Sequence, residues 1–174
     1  MTTLLAVVLA AFGVGLNDLG LLDRQGPRPN RIGDDVSSSF GVVAVEFVRS
    51  VGGVTNRALA GTSHGVSGLV DAKHQRIQVA VAITNRSQRP IQHTSKQFTL
   101  LVTQGGRTTA LKPEAGDLPD MRILPHAGIE GHLGFDVPQK GVALVLQYRD
   151  PGRTEPIFID LGAYKARPAE SDHH

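Results

Sequence analysis

The chain has 174 residues, of which 40% are hydrophobic and 20% charged, and its formal net charge is +2. These proportions are those of an ordinary globular domain, and they exclude both a multi-span membrane protein and wholesale disorder. The absence of cysteine excludes disulfides, thiol nucleophiles and thiolate metal sites. Because the 18 basic residues are scattered and tryptophan is absent, no nucleic-acid partner is expected.

The first element is an apolar segment over residues 4–22, in which Asn17 and Asp18 are the only polar side chains. A helix of this length, at about 1.5 Å per residue, nearly spans a hydrocarbon core of about 30 Å. Residues 11–13 also resemble the small-residue cleavage site of a secretory signal. No basic residue precedes the apolar run, whereas arginines follow it, which fits a signal poorly. Residues 1–22 are therefore interpreted as a membrane anchor, as a signal peptide whose basic start lies upstream, or as a buried helix of the domain.

A segment rich in glycine, proline, aspartate and serine follows, over residues 23–39. This composition predicts a flexible linker between the membrane segment and the folded part. Together, the two segments predict a protein outside the cytoplasm, either secreted or anchored to the membrane by its N-terminal segment.

Beyond the linker, apolar and polar side chains alternate, as in strands with one buried face. Turn residues separate the strands, and no long amphipathic helix intervenes. We therefore expect an all-β fold, an immunoglobulin-like antiparallel β-sandwich of seven or eight strands over residues 40–162, with an N-terminal hydrophobic helix and a disordered tail over 163–174. The clear strands lie at 42–48, 77–83, 98–103, 133–137, 142–148 and 157–161, and weaker ones at 68–70, 108–111 and 121–124.

Several strand and turn sequences also resemble a known family. They are VAVAITNRS at 79–87, RPI at 89–91, FTL at 98–100, LPHAG at 124–128 and GHLGFDVP at 131–138. This succession resembles bacterial telokin-like immunoglobulin domains of unknown function, which are typically exported or attached to the membrane. The resemblance implies an immunoglobulin-like fold, an envelope location and a binding or structural role, with no enzymatic activity to carry over.

Three further motifs have simpler interpretations. Residues 61–65 (GTSHG) match a nucleophile elbow around Ser63, but they lie in a loop-like segment without the strand-to-helix context that the motif requires. Glu114, Asp117 and Asp120 lack the spacing of a calcium loop and are expected in a solvated turn. Asn85 begins a glycosylation sequon, but Asn and Ser at a strand end are ordinary turn formers.

The seven histidines suggest a metal site only weakly, because no His-x-His places two ligands on one face of a strand. His126 precedes the strand that carries His132, and Met121 lies just upstream. These three residues form a candidate copper or zinc site, although solvated surface histidines are the preferred interpretation. The final His173-His174 pair belongs to the expected tail.

The function predicted from the sequence is that of an extracytoplasmic immunoglobulin-like binding module without catalytic activity or cofactor. Its partner is expected to be an envelope protein or a small ligand, bound through the loops at 52–68 and 112–119 or along an edge strand. The alternative is a metal-handling protein of the cell envelope that uses copper or zinc.

Overall fold

In this computed structural model, residues 29–51 and 73–164 are described. The apolar segment 1–22, the weak strand at 68–70, the loop at 52–68 with Ser63, and the end of the tail with His173-His174 lie outside the described residues. No helix in the described part of the chain is both long and apolar enough to cross a membrane.

The described residues form short and long strands and one short 3-10 helix at Ser95–Gln97. The strands are β1 (Asn30–Arg31), β2 (Val36–Ser37), β3 (Gly41–Val51), β4 (His74–Asn85), β5 (Ile91–His93), β6 (Phe98–Gln104), β7 (Arg107–Leu111), β8 (Ala115–Gly116), β9 (Met121–Ile123), β10 (Gly128–Pro138), β11 (Val142–Tyr148) and β12 (Ile157–Tyr164).

The strands assemble into two five-stranded sheets and a small β5–β9 sheet. One sheet has the order β2-β3-β4-β10-β8, and the other has the order β1-β12-β11-β6-β7. Strands β3-β4-β10-β8 occupy the A-B-E-D positions of an immunoglobulin sandwich, and β12-β11-β6-β7 occupy the G-F-C-C′ positions. The predicted β-sandwich is confirmed. All pairs within the two sheets are antiparallel except β1 with β12, which run parallel.

The core lies between the two sheets and is mainly aliphatic. On β4, Ile77, Val79, Val81 and Ile83 are at most 1% exposed, which confirms that the alternation marks an inward face. Full burial of such a side chain contributes about 1.5–3 kcal/mol. The second sheet supplies the opposing layer, with Phe98, Leu100, Leu144, Leu146, Tyr148 and Ile159.

The predicted flexible linker is wrong for its described part. β1 pairs with β12, and β2 pairs with β3, so this segment crosses from one sheet to the other. Val36 enters the core, and the backbone N–H of Ser39 donates to the Asp150 carboxylate at 2.6 Å. Two-residue strands are too short to show a period, which explains why the composition alone suggested a linker. At the other end, β12 runs two residues into the predicted tail, to Tyr164.

Candidate binding surface

The candidate site lies on the outward face of the β3-β4-β10 sheet. Near the middle of β3, the register shifts between Val45 and Phe47, so Glu46 is the extra residue of a β-bulge. The bulge reverses the alternation: Val45 is buried, but Phe47 two residues later is 39% exposed, and Val48 packs against the core instead. Bulges re-aim side chains in this way. An aromatic ring is thereby presented on a solvent-facing sheet.

Two side chains flank the Phe47 ring. The guanidinium of Arg49 lies 5.6 Å from the ring centroid, within the range of a cation–π interaction. The same guanidinium donates two hydrogen bonds to the Gln78 side-chain oxygen, at 2.9 and 2.8 Å. On the other side, the His132 ring lies 5.9 Å from Phe47, tilted by 55°. The Phe47 ring, the Arg49 guanidinium and the Gln78 amide are therefore held in place by contacts with one another.

His132 is fixed by Asp117, which reaches it from the loop after β8. The Asp117 carboxylate accepts from the His132 backbone N–H at 2.6 Å and lies 3.1 Å from Nδ1 of the ring. Two hydrogen bonds from His132 lower the pKa of Asp117. The bond from the backbone N–H has the larger effect, and the bond from the side chain has the smaller one. Because Nδ1 lies at hydrogen-bond distance from the carboxylate, Nε2 is the ring nitrogen that remains for a partner.

Small residues lie beside these side chains on the same face of the sheet. Ala80 lies between Phe47 and His132 in the cross-strand register and is 3% exposed. Ala44 and Ala82 are the next cross-strand pair on the same face. We call Phe47, Arg49, Gln78, Ala80 and His132 the Phe47 surface. It combines an apolar centre with a polar rim, which is the usual composition of a protein-binding patch.

The structure separates the three predicted metal ligands by element. His132 lies on β10 opposite Ala80, Met121 begins β9 opposite His93, and His126 occupies the turn between β9 and β10 with a left-handed φ of 59°. Within residues 29–51 and 73–164, no group of three or more His, Cys, Asp or Glu side chains is placed to hold a metal ion. The copper or zinc site remains a prediction.

His93, the strand partner of Met121, is the one buried histidine of the described core. It is 1% exposed, it packs edge-on against Phe98, and neither ring nitrogen has a hydrogen-bond partner among the described residues. Burial lowers the pKa of His93, so the ring is neutral near pH 7. The imidazole therefore serves as part of the apolar packing.

The acidic residues of the 112–120 segment make separate contacts. Asp117 binds His132, whereas Asp120 accepts from the hydroxyl of Thr94 and from the backbone N–H of Ser95, at 2.8 and 2.6 Å. The backbone N–H of Glu114 donates a hydrogen bond to the carbonyl oxygen of Gly134, which anchors this part of the loop. The loop is a connector tied down by hydrogen bonds.

Asn85 of the sequon is fully buried. Its amide nitrogen donates to the carbonyls of Arg89, Ile123 and Leu124, at 2.8–3.2 Å. Its amide oxygen accepts from the backbone and the hydroxyl of Ser87. The side chain closes the turn after β4, and its amide is not accessible to a glycosyl transferase in the folded protein.

Sequence reasoning found His132 but missed Phe47 and the partnership of Asp117. Phe47 continues the every-second-residue pattern of Val43 and Val45, which places it inside an unbroken strand. The one local signal was Glu46, a charge in an otherwise apolar stretch. The Asp117–His132 pair spans 15 residues and leaves no local signature.

The fold is similar to those of solved bacterial structures. The yjhA protein from Bacillus subtilis matches with a TM-score of 0.55 and 15% identity, over 76% of this chain and 99% of that chain. A functionally unknown protein from Listeria monocytogenes matches with a TM-score of 0.50 and 11% identity, over 80% of this chain and 85% of that chain.

A third match is ycdA from Bacillus subtilis, a protein proposed to be a lipoprotein. It has a TM-score of 0.54 and 21% identity over 74% of this chain, which spans 38% of the length of that chain. No family model matches the sequence, and the comparison with curated proteins gave no match. The structural likenesses show a shared β-sandwich fold.

Proposed function

We propose that this protein is a non-enzymatic binding module of the cell envelope and that it contacts a partner protein through the Phe47 surface. The observation that carries the proposal is the bulge at Glu46, which turns Phe47 out of the core and onto an open sheet. A large ring at 39% exposure forgoes part of the burial free energy that a core position would provide. Binding to a partner recovers that free energy.

The neighbours of Phe47 fit this role. Binding hot spots are enriched in aromatic and arginine side chains at the centre of a contact, surrounded by groups that exclude water. Here Arg49 is already held by Gln78, and His132 by Asp117, so little side-chain entropy is lost on binding. The neighbouring residues Ala44, Ala80 and Ala82 are too small to form the walls of a pocket, which suits a protein surface better than a small molecule.

Site-specific photo-crosslinking in the native host tests the proposal. A benzophenone amino acid replaces Phe47 in the full chain, and in a second variant it replaces Leu124. Leu124 is a matched control, because it is also apolar and is 59% exposed, but it lies outside the Phe47 surface. We expect a discrete adduct from position 47 that weakens at least fivefold when Arg49→Ala is added, and none from position 124.

Equal adducts from both positions, or no adduct from position 47 at any growth stage, would contradict the proposal. Circular dichroism and thermal melting of each variant show whether it is folded. Because the Phe47 side chain is partly exposed, Phe47→Ala is expected to cost at most about 1 kcal/mol of stability.

The envelope location and the telokin-like relationship are part of the same proposal. The apolar segment over residues 4–22 supports export or anchoring. The ycdA protein, proposed to be a lipoprotein, offers a structural parallel. Cell fractionation together with sequencing of the mature N-terminus tests the location: recovery of the full chain in the cytoplasm would contradict it.

The metal-handling alternative has its own test. Titration of the full chain with Cu⁺, Cu²⁺ and Zn²⁺ is expected to show no stoichiometric uptake. Stoichiometric uptake that disappears in His132→Gln or Met121→Leu would favour the metal site over the binding module.

A further inference from the structure

A second surface, apart from the Phe47 surface, lies at the edge of the other sheet. β7 ends that sheet, and among the described strands it pairs with β6 alone. Its residues from Arg107 to Ala110 are all exposed, and Leu111 is half-buried. Natural proteins usually protect such an edge, because its unpaired backbone groups are a template for another strand.

The turn before β7 fixes which backbone groups are free. Gly105 and Gly106 both have positive φ, 56° and 78°, so the β6–β7 hairpin has a two-residue type I′ turn. In such a hairpin, the flanking residues Gln104 and Arg107 form a hydrogen-bonded pair. Along the two strands beyond this pair, hydrogen-bonded and non-hydrogen-bonded residue pairs alternate. By this count, the N–H and C=O groups of Thr108 and Ala110 point away from β6.

The charge along this edge has a single sign. Residues 104–113 contain Arg107 and Lys112 as their only ionisable side chains. The adjoining strand β6 contributes no charge at all. Lys112 is held in place by a 2.8 Å hydrogen bond from its ammonium to the Thr99 hydroxyl. Two cations therefore flank the free backbone groups, one at each end, and Lys112 is the one held in place.

A cavity next to the β6–β7 hairpin is also lined by one of these basic side chains. A cavity of about 200 Å³ between the sheets is lined by Arg107, Thr109 and Leu111, with Asp136 on its far wall. Asp136 is already neutralised by a bidentate pair with Arg76, at 2.7 Å for each hydrogen bond. Among the described residues that line the cavity, no other carboxylate is present to compensate Arg107.

We propose that β7 is a docking edge for an extended, acidic segment of a partner protein, which adds to the sheet as an antiparallel strand. Main-chain hydrogen bonds to Thr108 and Ala110 would supply affinity, and carboxylates opposite Arg107 and Lys112 would supply specificity. A second copy of this chain fits poorly. Pairing centred on Thr109 places Arg107 opposite Leu111 of the other copy and Lys112 opposite Gly106, so neither cation meets a carboxylate.

Fluorescence anisotropy with the full-length protein and two synthetic peptides tests the proposal. Each peptide has four alternating valine and threonine residues, with glutamate at both ends in one and lysine at both ends in the other. The glutamates have the same five-residue spacing as Arg107 and Lys112. We expect the glutamate peptide to bind about tenfold more tightly than the lysine peptide, with a difference that shrinks as salt is added.

Two controls separate strand pairing from simple charge attraction. Ala110→Pro removes an outward N–H, and it should weaken binding of the glutamate peptide at least fivefold. The same peptide N-methylated at alternate residues should also lose binding, and this arm needs no change to the protein. Phe47→Ala should bind the peptide normally, so that the two proposed surfaces are tested independently.

Equal binding of the two peptides, or full binding of the N-methylated peptide, would overturn the proposal. So would a dimer in analytical ultracentrifugation that Ala110→Pro dissociates, because the edge would then be occupied by a second copy.

Discussion

The two sheets end in different ways, and the difference shows how this fold controls its edges. At β8, the chain covers the outer edge of β10: the Asp117 carboxylate accepts from the backbone N–H of His132, and Leu118 inserts into the core. At β7, no described strand pairs with the outer side. A covered edge contributes to stability, whereas an open edge leaves hydrogen-bonding capacity for a partner.

Glycines allow the chain to close over the β8 edge. Gly116 has a φ of 137°, and a Cβ there would lie 2.1 Å from the carbonyl oxygen of His132. At Gly131, a Cβ would lie 2.6 Å from Cα of Leu118. The covering loop can therefore rest directly on β10 only because both positions lack a side chain.

The largest effect is expected from Gly116→Ala. The new methyl group must displace backbone and also occupies a strained conformation, so we expect a loss of about 4 kcal/mol in the free energy of unfolding. Gly162→Ala is the matched control, because Gly162 also has a positive φ, 80°, but has nothing within 4 Å of the added atom. It should cost only about 1 kcal/mol. Urea unfolding measures both, and equal losses would mean that the close approach is unimportant.

Leu118→Ala should have the next largest effect. Leu118 is 6% exposed and belongs to the core, so its truncation should cost about 3 kcal/mol. Leu124→Ala makes the same chemical change at a side chain that is 59% exposed, and it should cost less than about 0.5 kcal/mol. Thermal melts of the pair compare them directly. A similar cost for both variants would show that the loop does not close the β8 edge.

A pair of proline substitutions tests whether the β7 edge is open. Thr109→Pro removes an N–H that bonds to β6 and should cost about 2 kcal/mol, whereas Ala110→Pro removes an N–H that faces water and should cost less than about 1 kcal/mol. Chemical denaturation gives both values. The reverse order would mean that the assignment of inward and outward backbone groups on β7 is wrong.

The strands were predictable where one face is buried over several residues. β4, β6 and β11 show clear alternation, since each contributes a row of side chains to the core. β1, β2 and β8 have two residues each and carry no period. Their positions depend on pairing with distant strands, and the sequence predicted a linker or a loop at all three.

The candidate surface was predictable only in part, for a related reason. The alternation on β10 correctly placed His132 on the outward face. The exposure of Phe47 depends on a bulge, and a single inserted residue exchanges the two faces of everything after it. The every-second-residue pattern that identifies β3 as a strand therefore assigns Phe47, which follows the bulge, to the buried face.

Acid should weaken the β8 edge more than the β7 edge, and this is the smallest effect expected. Because its folded-state pKa is lowered from the ordinary 3.8, Asp117 contributes stability above that pH and loses it as the pH falls through the lower folded value. Asp117→Asn should be less stable than the parent chain at pH 7, and the gap should narrow by pH 3. The β7 strand has no carboxylate, so Arg107→Gln should leave this pH dependence unchanged. Denaturation midpoints across this range measure both variants. A gap that stays constant down to pH 3 would mean that the Asp117 charge does not hold the loop against His132, and that Leu118 alone closes this edge.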